Sequence, residues 1–167
     1  MSQRAIIEYP DPRLREPCAA VTAFDASLEE LVNDLFDTLA TGSAIGLSAP
    51  QIGELQQVLV VHVPDDDYGP RCYINPEILS TAGYGIVEES CVSVPGVVGN
   101  VIRHPQVDVR AWDVHGEPFE MRLEGMHAVC LQHEMDHLEG KLFIDRLSWF
   151  RRLRIRRAAR RRAAEVA

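Results

Sequence analysis

Residues 132–138 read Gln-His-Glu-Met-Asp-His-Leu, and the His133-Glu134-x-x-His137 run within them is the pattern that most restricts the fold. Residues four apart share one face of a helix, so both imidazoles reach one metal ion if this segment is helical. Glu134 then stands between them, placed to move protons on a water activated by that ion. Two histidines need a third ligand, and its position decides the chemistry. Peptidases with this run place it downstream, in one branch as His-Glu-x-x-His-x-x-Gly-x-x-His. Here Gly140 and Phe143 occupy the later positions and no His follows His137. The downstream glutamates are Glu139, too close along the chain, and Glu165, in an Arg-rich tail. The third ligand is therefore expected upstream, and Cys91 is the best candidate. Two His, one Cys and an open position make a catalytic arrangement, because structural sites close with four protein ligands.

The rest of the chain reads as a frame for that helix. Leu28, Leu31, Leu35 and Leu39 recur at helical spacing after Ser27-Leu28-Glu29-Glu30, a capping-box pattern, and predict a helix over 26–40. Residues 42–51 are rich in small side chains and read as a loop. Val58-Leu59-Val60-Val61-His62-Val63 predicts a buried strand. Further strands are expected over about 71–74, 84–89, 97–103, 106–113 and 117–123, in hairpins joined by turns such as Asp113-Val114-His115-Gly116. The motif helix spans about 124–138, with Gly140 as its stop, and a last helix spans about 148–164. Strands flanked by helices without a regular βαβ alternation give an α+β class: antiparallel sheets packed around a central metal-binding helix, with one N-terminal and one C-terminal helix. At 167 residues one domain is expected, residues 1–147, with residues 148–167 as a helical extension of it.

Charge and cysteine use narrow the setting. The net charge is −8, yet residues 151–167 hold eight Arg and one Glu, which leaves −15 on residues 1–150. An acidic body argues against DNA or broad nucleic-acid binding, while the basic tail suits one local anionic contact. No run of 18 apolar residues exists, so no membrane span is expected. The first residues lack a signal-peptide apolar stretch. Cys18, Cys72, Cys91 and Cys130 are irregularly spaced and do not suggest a disulfide framework. A reducing, cytoplasmic setting fits a metal-binding thiolate. Cys18 and Cys72 are expected to be inert, and His62, His104, His115 and His127 to be surface or core fillers.

Three ordered segments carry a family resemblance: Ala44-Ile45-Gly46-Leu47-Ser48-Ala49-Pro50-Gln51, Glu89-Ser90-Cys91-Val92-Ser93, and Gln132 to Leu138. With the opening Tyr9-Pro10-Asp11-Pro12-Arg13-Leu14-Arg15, they resemble the peptide deformylases over roughly residues 5–147. Ala44, Ser48, Ser90 and Val92 depart from that family's pattern, and no ligand, Glu or Gln is lost. The resemblance implies hydrolysis of the N-formyl group from the initiator formyl-methionine of new polypeptides, with release of formate, in a bacterial cytoplasm. It implies Cys91, His133 and His137 as ligands, Glu134 as acid and base, and Gln51 with the backbone N–H of Val92 as oxyanion donors. The backbone of Ile45, Gly46 and Leu47 would line the substrate cleft. Ile45, Val87, Met126, Val129 and Cys130 would form the methionine pocket, and Glu89 would pair with Arg103 beside the site. Asp136 matches the motif without a derivable role.

Thiolate plus imidazole suits zinc, iron, cobalt or nickel; the resemblance implies Fe(II) in the cell, replaced by Zn(II) or Ni(II) in isolated protein. It also implies a ribosome contact for the Arg-rich helix, against the plainer reading of a solvated helix. Two other functions compete: a metal-dependent peptidase or amidase, and a catalytically weak binding module docking through that helix.

Overall fold

In the computed structural model, which describes residues 3–166, strand β2 (Val58–Val61) lies between two helices and is wholly buried. Alternate side chains of a strand point to opposite faces. Val58 and Val60 therefore join the cluster under α1 (Ala26–Leu39), and Leu59 and Val61 join the cluster under α2 (Gly125–Leu138). This two-sided burial explains why the segment is a continuous apolar run rather than an alternating one. The first two residues and the last, at the ends of the expected domain and tail, lie outside the described residues.

Around β2 a five-stranded antiparallel sheet runs in the order β1 (Gly46–Ser48), β2, β3 (Arg71–Ala82), β6 (Gln106–Trp112), β7 (Pro118–Glu124). A separate antiparallel ribbon pairs β4 (Gly85–Cys91) with β5 (Val94–Arg103). The last helix, α3 (Trp149–Val166), packs Ile155 into a third cluster with Cys91, Val94, Val101 and Leu147 beneath that ribbon. No helix of the described residues is long and apolar enough to cross a membrane.

Four local expectations need correction. The cap of α1 is Asp25, not Ser27: the Asp25 carboxylate accepts from Ser27 N at 3.1 Å and Leu28 N at 3.3 Å, and the Ser27 hydroxyl donates to it at 2.6 Å. An ionised acceptor two residues earlier satisfies the orphan N–H groups that Ser27 would have served. Strand β3 continues to Ala82 because a register shift between Ile74 and Glu77 absorbs Pro76, as a bulge does. Asn75, at φ 49°, supports the bulge with side-chain bonds to Val21 N and O of 2.8 and 2.9 Å. The segment read as a loop over 42–51 contains β1 and a 3-10 turn at Ala49–Ile52. Strand β5 starts at Val94 rather than 97, directly across from Cys91.

Gly140 stops α2 as expected, at φ 71°, with its N–H on the His137 carbonyl. A Cβ there would strike the backbone carbonyl of Arg15. The left-handed backbone alone disfavours alanine by about 1–2 kcal/mol, and the clash adds to that. Gly140→Ala should lower the melting temperature by at least about 2–4 °C, the shift expected per kcal/mol in a chain of this size. A thermal scan with an unchanged midpoint would refute this.

Candidate active site

α2 presents His133 and His137 one turn apart, with ring centroids separated by 5.1 Å. The end of β4 brings Cys91 to them: its Sγ lies 3.4 Å from His137 Nε2. One ligand atom from each of Cys91, His133 and His137 falls within 4.8 Å of the others. His133 Nδ1 donates to Glu89 Oε2 at 2.8 Å. That bond fixes the tautomer and leaves Nε2 for a metal. Burial holds the His137 pKa well down, which favours the neutral, ligating form of the imidazole. Among the described residues, two buried side-chain atoms lack a hydrogen-bond partner: Glu134 Oε2 and His137 Nδ1. Buried polar atoms are normally paired; Glu134 Oε2 thus marks a place shaped for a further ligand, whereas His137 meets Cys91 with Nε2 and its unpartnered Nδ1 is the other ring nitrogen. Donor types, spacing and tautomer fit a divalent ion.

Glu134 is 3% exposed, and burial pushes its carboxyl up to about 7, against the lowering influence of His133 and Ser48. A carboxyl poised there can both take and give a proton near neutral pH. Gln51, equally buried, has its amide locked: Oε1 accepts from Ser48 N at 2.9 Å and Ser48 Oγ at 2.8 Å. Its Nε2 accordingly faces Ser93 Oγ at 3.2 Å and the Cys91 sulfur at 3.6 Å. The amide therefore shows its donor side to the metal ligands.

An open cleft of about 210 Å³ reaches these groups. Ile45, Gly46, Val87, Met126, Val129 and Cys130 line it, together with Gln51, Val92 and Glu134. Leu47 does not: its side chain is buried in the cluster under α1, which leaves only the strand backbone for the cleft side. Glu89 reaches the wall, but both its oxygens are occupied, Oε1 by Arg103 Nε at 2.6 Å and Oε2 by Arg103 Nη2 at 3.0 Å and by His133. Burial alone would raise its pKa; the bonds from His133 and Arg103 outweigh that and hold it near 2.

Other residues of the site were not singled out by the sequence. Ser43 and Glu88 also line the cleft, and their small or polar character resembles that of any surface loop; Ala44 and Ser90, noted above as departures from the family pattern, line it too. Asp136 acquires a role, bonding Arg103 Nη1 at 2.7 Å and Arg146 at 3.0 and 3.1 Å. His127 is a buried filler with partners: Nδ1 donates to Asp66 and Nε2 accepts from Tyr73, each at 2.7 Å.

The polypeptide deformylase family model matches residues 3–152. The chain belongs to the polypeptide deformylases. Among curated deformylases it is 45% identical to that of Hahella chejuensis over 158 residues, 94% of each chain. It is 39% identical to peptide deformylase 1 of Shewanella oneidensis over 167 residues, 100% of this chain and 99% of that one. The solved deformylase of Legionella pneumophila superposes with a TM-score of 0.90 at 43% identity, over 98% of this chain and 96% of that one. A deformylase of Ehrlichia chaffeensis, solved in complex with actinonin, gives 0.92 at 34% identity over 97% and 98%. This deformylase is a metal-dependent hydrolase that removes the formyl group from the initiator methionine of newly synthesised proteins and releases formate.

Gly46 permits the closest approach at its centre. A Cβ there would overlap Cys130 Sγ and come within 2.9 Å of Glu134 Cγ. Gly46→Ala should displace Glu134 and lower kcat at least ten-fold while the fold persists. Formate release beside circular dichroism checks this.

Proposed function

We propose that deformylation in this protein runs on Glu134 as its proton carrier, with Cys91, His133 and His137 holding one divalent ion. The observation carrying this is a fully buried carboxyl, set near neutrality, between two imidazoles that converge with a thiol. A divalent ion held there supplies Lewis acidity and lowers the pKa of water from 15.7 to about 7.

The formyl-peptide lies extended along β1, whose sheet partner among the described residues is β2. Its backbone pairs with the free edge at Ile45–Leu47, where Gly46 lets it approach. The methionine side chain enters the space between Ile45, Val87, Met126, Val129 and Cys130. Glu134 takes the proton from the attacking water. Gln51 Nε2 and the Val92 backbone N–H donate to the oxygen that gains charge. Glu134 then delivers its proton to the leaving amine as the C–N bond breaks, giving formate and a free N-terminus.

Fe(II) is the ion we propose for the cell, with Zn(II) or Ni(II) taking its place in isolated protein; the mixed thiolate and imidazole set accepts all three. A bacterial cytoplasm is the proposed location, supported by the bacterial relatives and by a thiol ligand that needs reducing conditions. Residues 3–147 form the catalytic body, and α3 extends it. Its arginines 154, 156, 157, 160 and 161 are exposed, which supports contact with a polyanion on the ribosome. Replacing Arg156, Arg157, Arg160 and Arg161 by Gln should weaken ribosome association and flatten its salt dependence; unchanged sedimentation with ribosomes at low salt would remove this part of the proposal.

Two substitutions test the chemistry on formyl-Met-Ala-Ser. Glu134→Ala should abolish formate release with metal content intact. Gln51→Ala should lower kcat about 10²–10³-fold, the loss typical of one oxyanion donor. Full metal occupancy with undiminished turnover in Glu134→Ala would overturn the assignment.

A further inference from the structure

Behind His133 runs a line of ion pairs that ends at the protein surface. His133 Nδ1 bonds Glu89 Oε2, and Arg103 grips both oxygens of Glu89 with Nε and Nη2. The remaining terminal nitrogen of Arg103, Nη1, bonds Asp136 Oδ2 at 2.7 Å. Arg146 closes the line, Nε to Asp136 Oδ2 at 3.1 Å and Nη2 to Oδ1 at 3.0 Å. Charges alternate along it. It passes from the 3-10 turn Phe143–Arg146 through α2 and β5 to β4, and returns to α2 at the metal ligand. We propose that Arg146, acting through Asp136, is a positioning residue for the metal centre: it keeps Arg103 on Glu89 and so fixes the His133 ring for the ion. The proposal rests on Cys91, His133 and His137 being the ligands.

Two carboxylates compete for one guanidinium. Arg103 is buried and faces two carboxylates, Glu89 and Asp136. Arg146 satisfies Asp136 in the two-pronged geometry that favours Arg–carboxylate pairs. Without it, Arg103 is the one side chain among the described residues still hydrogen-bonded to the Asp136 carboxylate, which draws the guanidinium toward itself. Glu89 then loses part of its grip, and with it the bond that orients His133. Arg146 is 44% exposed on its side chain, and an exposed pair contributes little to stability by itself. Groups that orient a ligating histidine, by contrast, typically govern metal affinity by about 10–100-fold. Asp136 thereby gains a function that its neighbour His137 does not supply, because its carboxylate points to the two arginines.

The full chain loaded with Co(II) and with Zn(II) provides the test. Arg146→Met should speed metal loss to a chelator by about ten-fold, at the lower end of that range, and should alter the Co(II) absorption spectrum. Asp136→Asn should act in the same direction. Arg146→Lys, which restores charge without the fork, should recover part of the retention. A lower melting temperature of the metal-free protein with unchanged metal loss and spectrum in Arg146→Met would make Arg146 a mere structural clip and overturn the inference. Cys91→Ala is the separate control: if it still binds one ion per chain, the ligand assignment fails, whereas its loss of binding beside normal retention in Arg146→Met sinks only this inference.

Discussion

Glu89 must stay ionised inside the protein, and the groups that keep it so bind the active centre to the fold. Burial works against its charge, and Arg103 and His133 reverse the balance. Desolvating such ions is expensive, so the pair adds little net stability, but removing one partner typically costs about 3–5 kcal/mol. The β4–β5 ribbon carries Glu89, Arg103 and Cys91, whereas α2 carries His133, Asp136 and His137. The two elements are thus joined through the chemistry itself. Fixing the ribbon fixes the thiol, and fixing the ring of His133 aims its free nitrogen at the same point.

The sheet supplies the opposite wall. Because β2 is buried on both faces, it can hold β1 rigidly although β1 is three residues long. β1 then brings Gly46 against Cys130 and Glu134, and its end passes directly into the turn that carries Gln51. Ser48 fixes the amide of Gln51 from within this short stretch. Proton carrier, amide donor and strand edge are therefore set by seven consecutive residues and one helix face. A site assembled from such stiff parts needs little rearrangement to act, which is the condition for electrostatic stabilisation of a transition state.

What could be read beforehand followed from local pattern. His133 and His137 were legible because helical spacing alone puts them together. Exclusion of downstream ligands sent the third ligand upstream, and the resemblance of the Glu89–Ser93 segment to the deformylases singled out Cys91. The β6–β7 hairpin was legible from its turn. The features missed depend on contacts distant in sequence. β1 is too short and too small-sided to show a period; it is a strand only because β2 offers it a register. Pro76 reads as the end of a strand, and β3 continues because Asn75 anchors the bulge to Val21, 54 positions away. Asp136 shows no role in its own segment because its partners lie 33 and 10 residues off. The cap of α1 was misplaced for a different reason: Asp25 and Ser27 are both good caps, and the ionised group accepts the N–H bonds more strongly.

The C-terminal helix follows a separate logic. Only Ile155 and Ala159 of α3 are buried, a stripe too narrow to hold a helix with this density of like charge. Arg151, Arg152 and Arg162 compensate by donating to backbone carbonyls of Val98, Asp145 and Pro95. Backbone acceptors carry no full charge, so these arginines anchor the helix without neutralising it. The segment thus keeps its +7 beside a body of −15. Had the same arginines been paired with the carboxylates of that body, the helix would be more firmly held and its field cancelled. Docking through carbonyls lets the protein hold a strongly positive surface on an acidic enzyme.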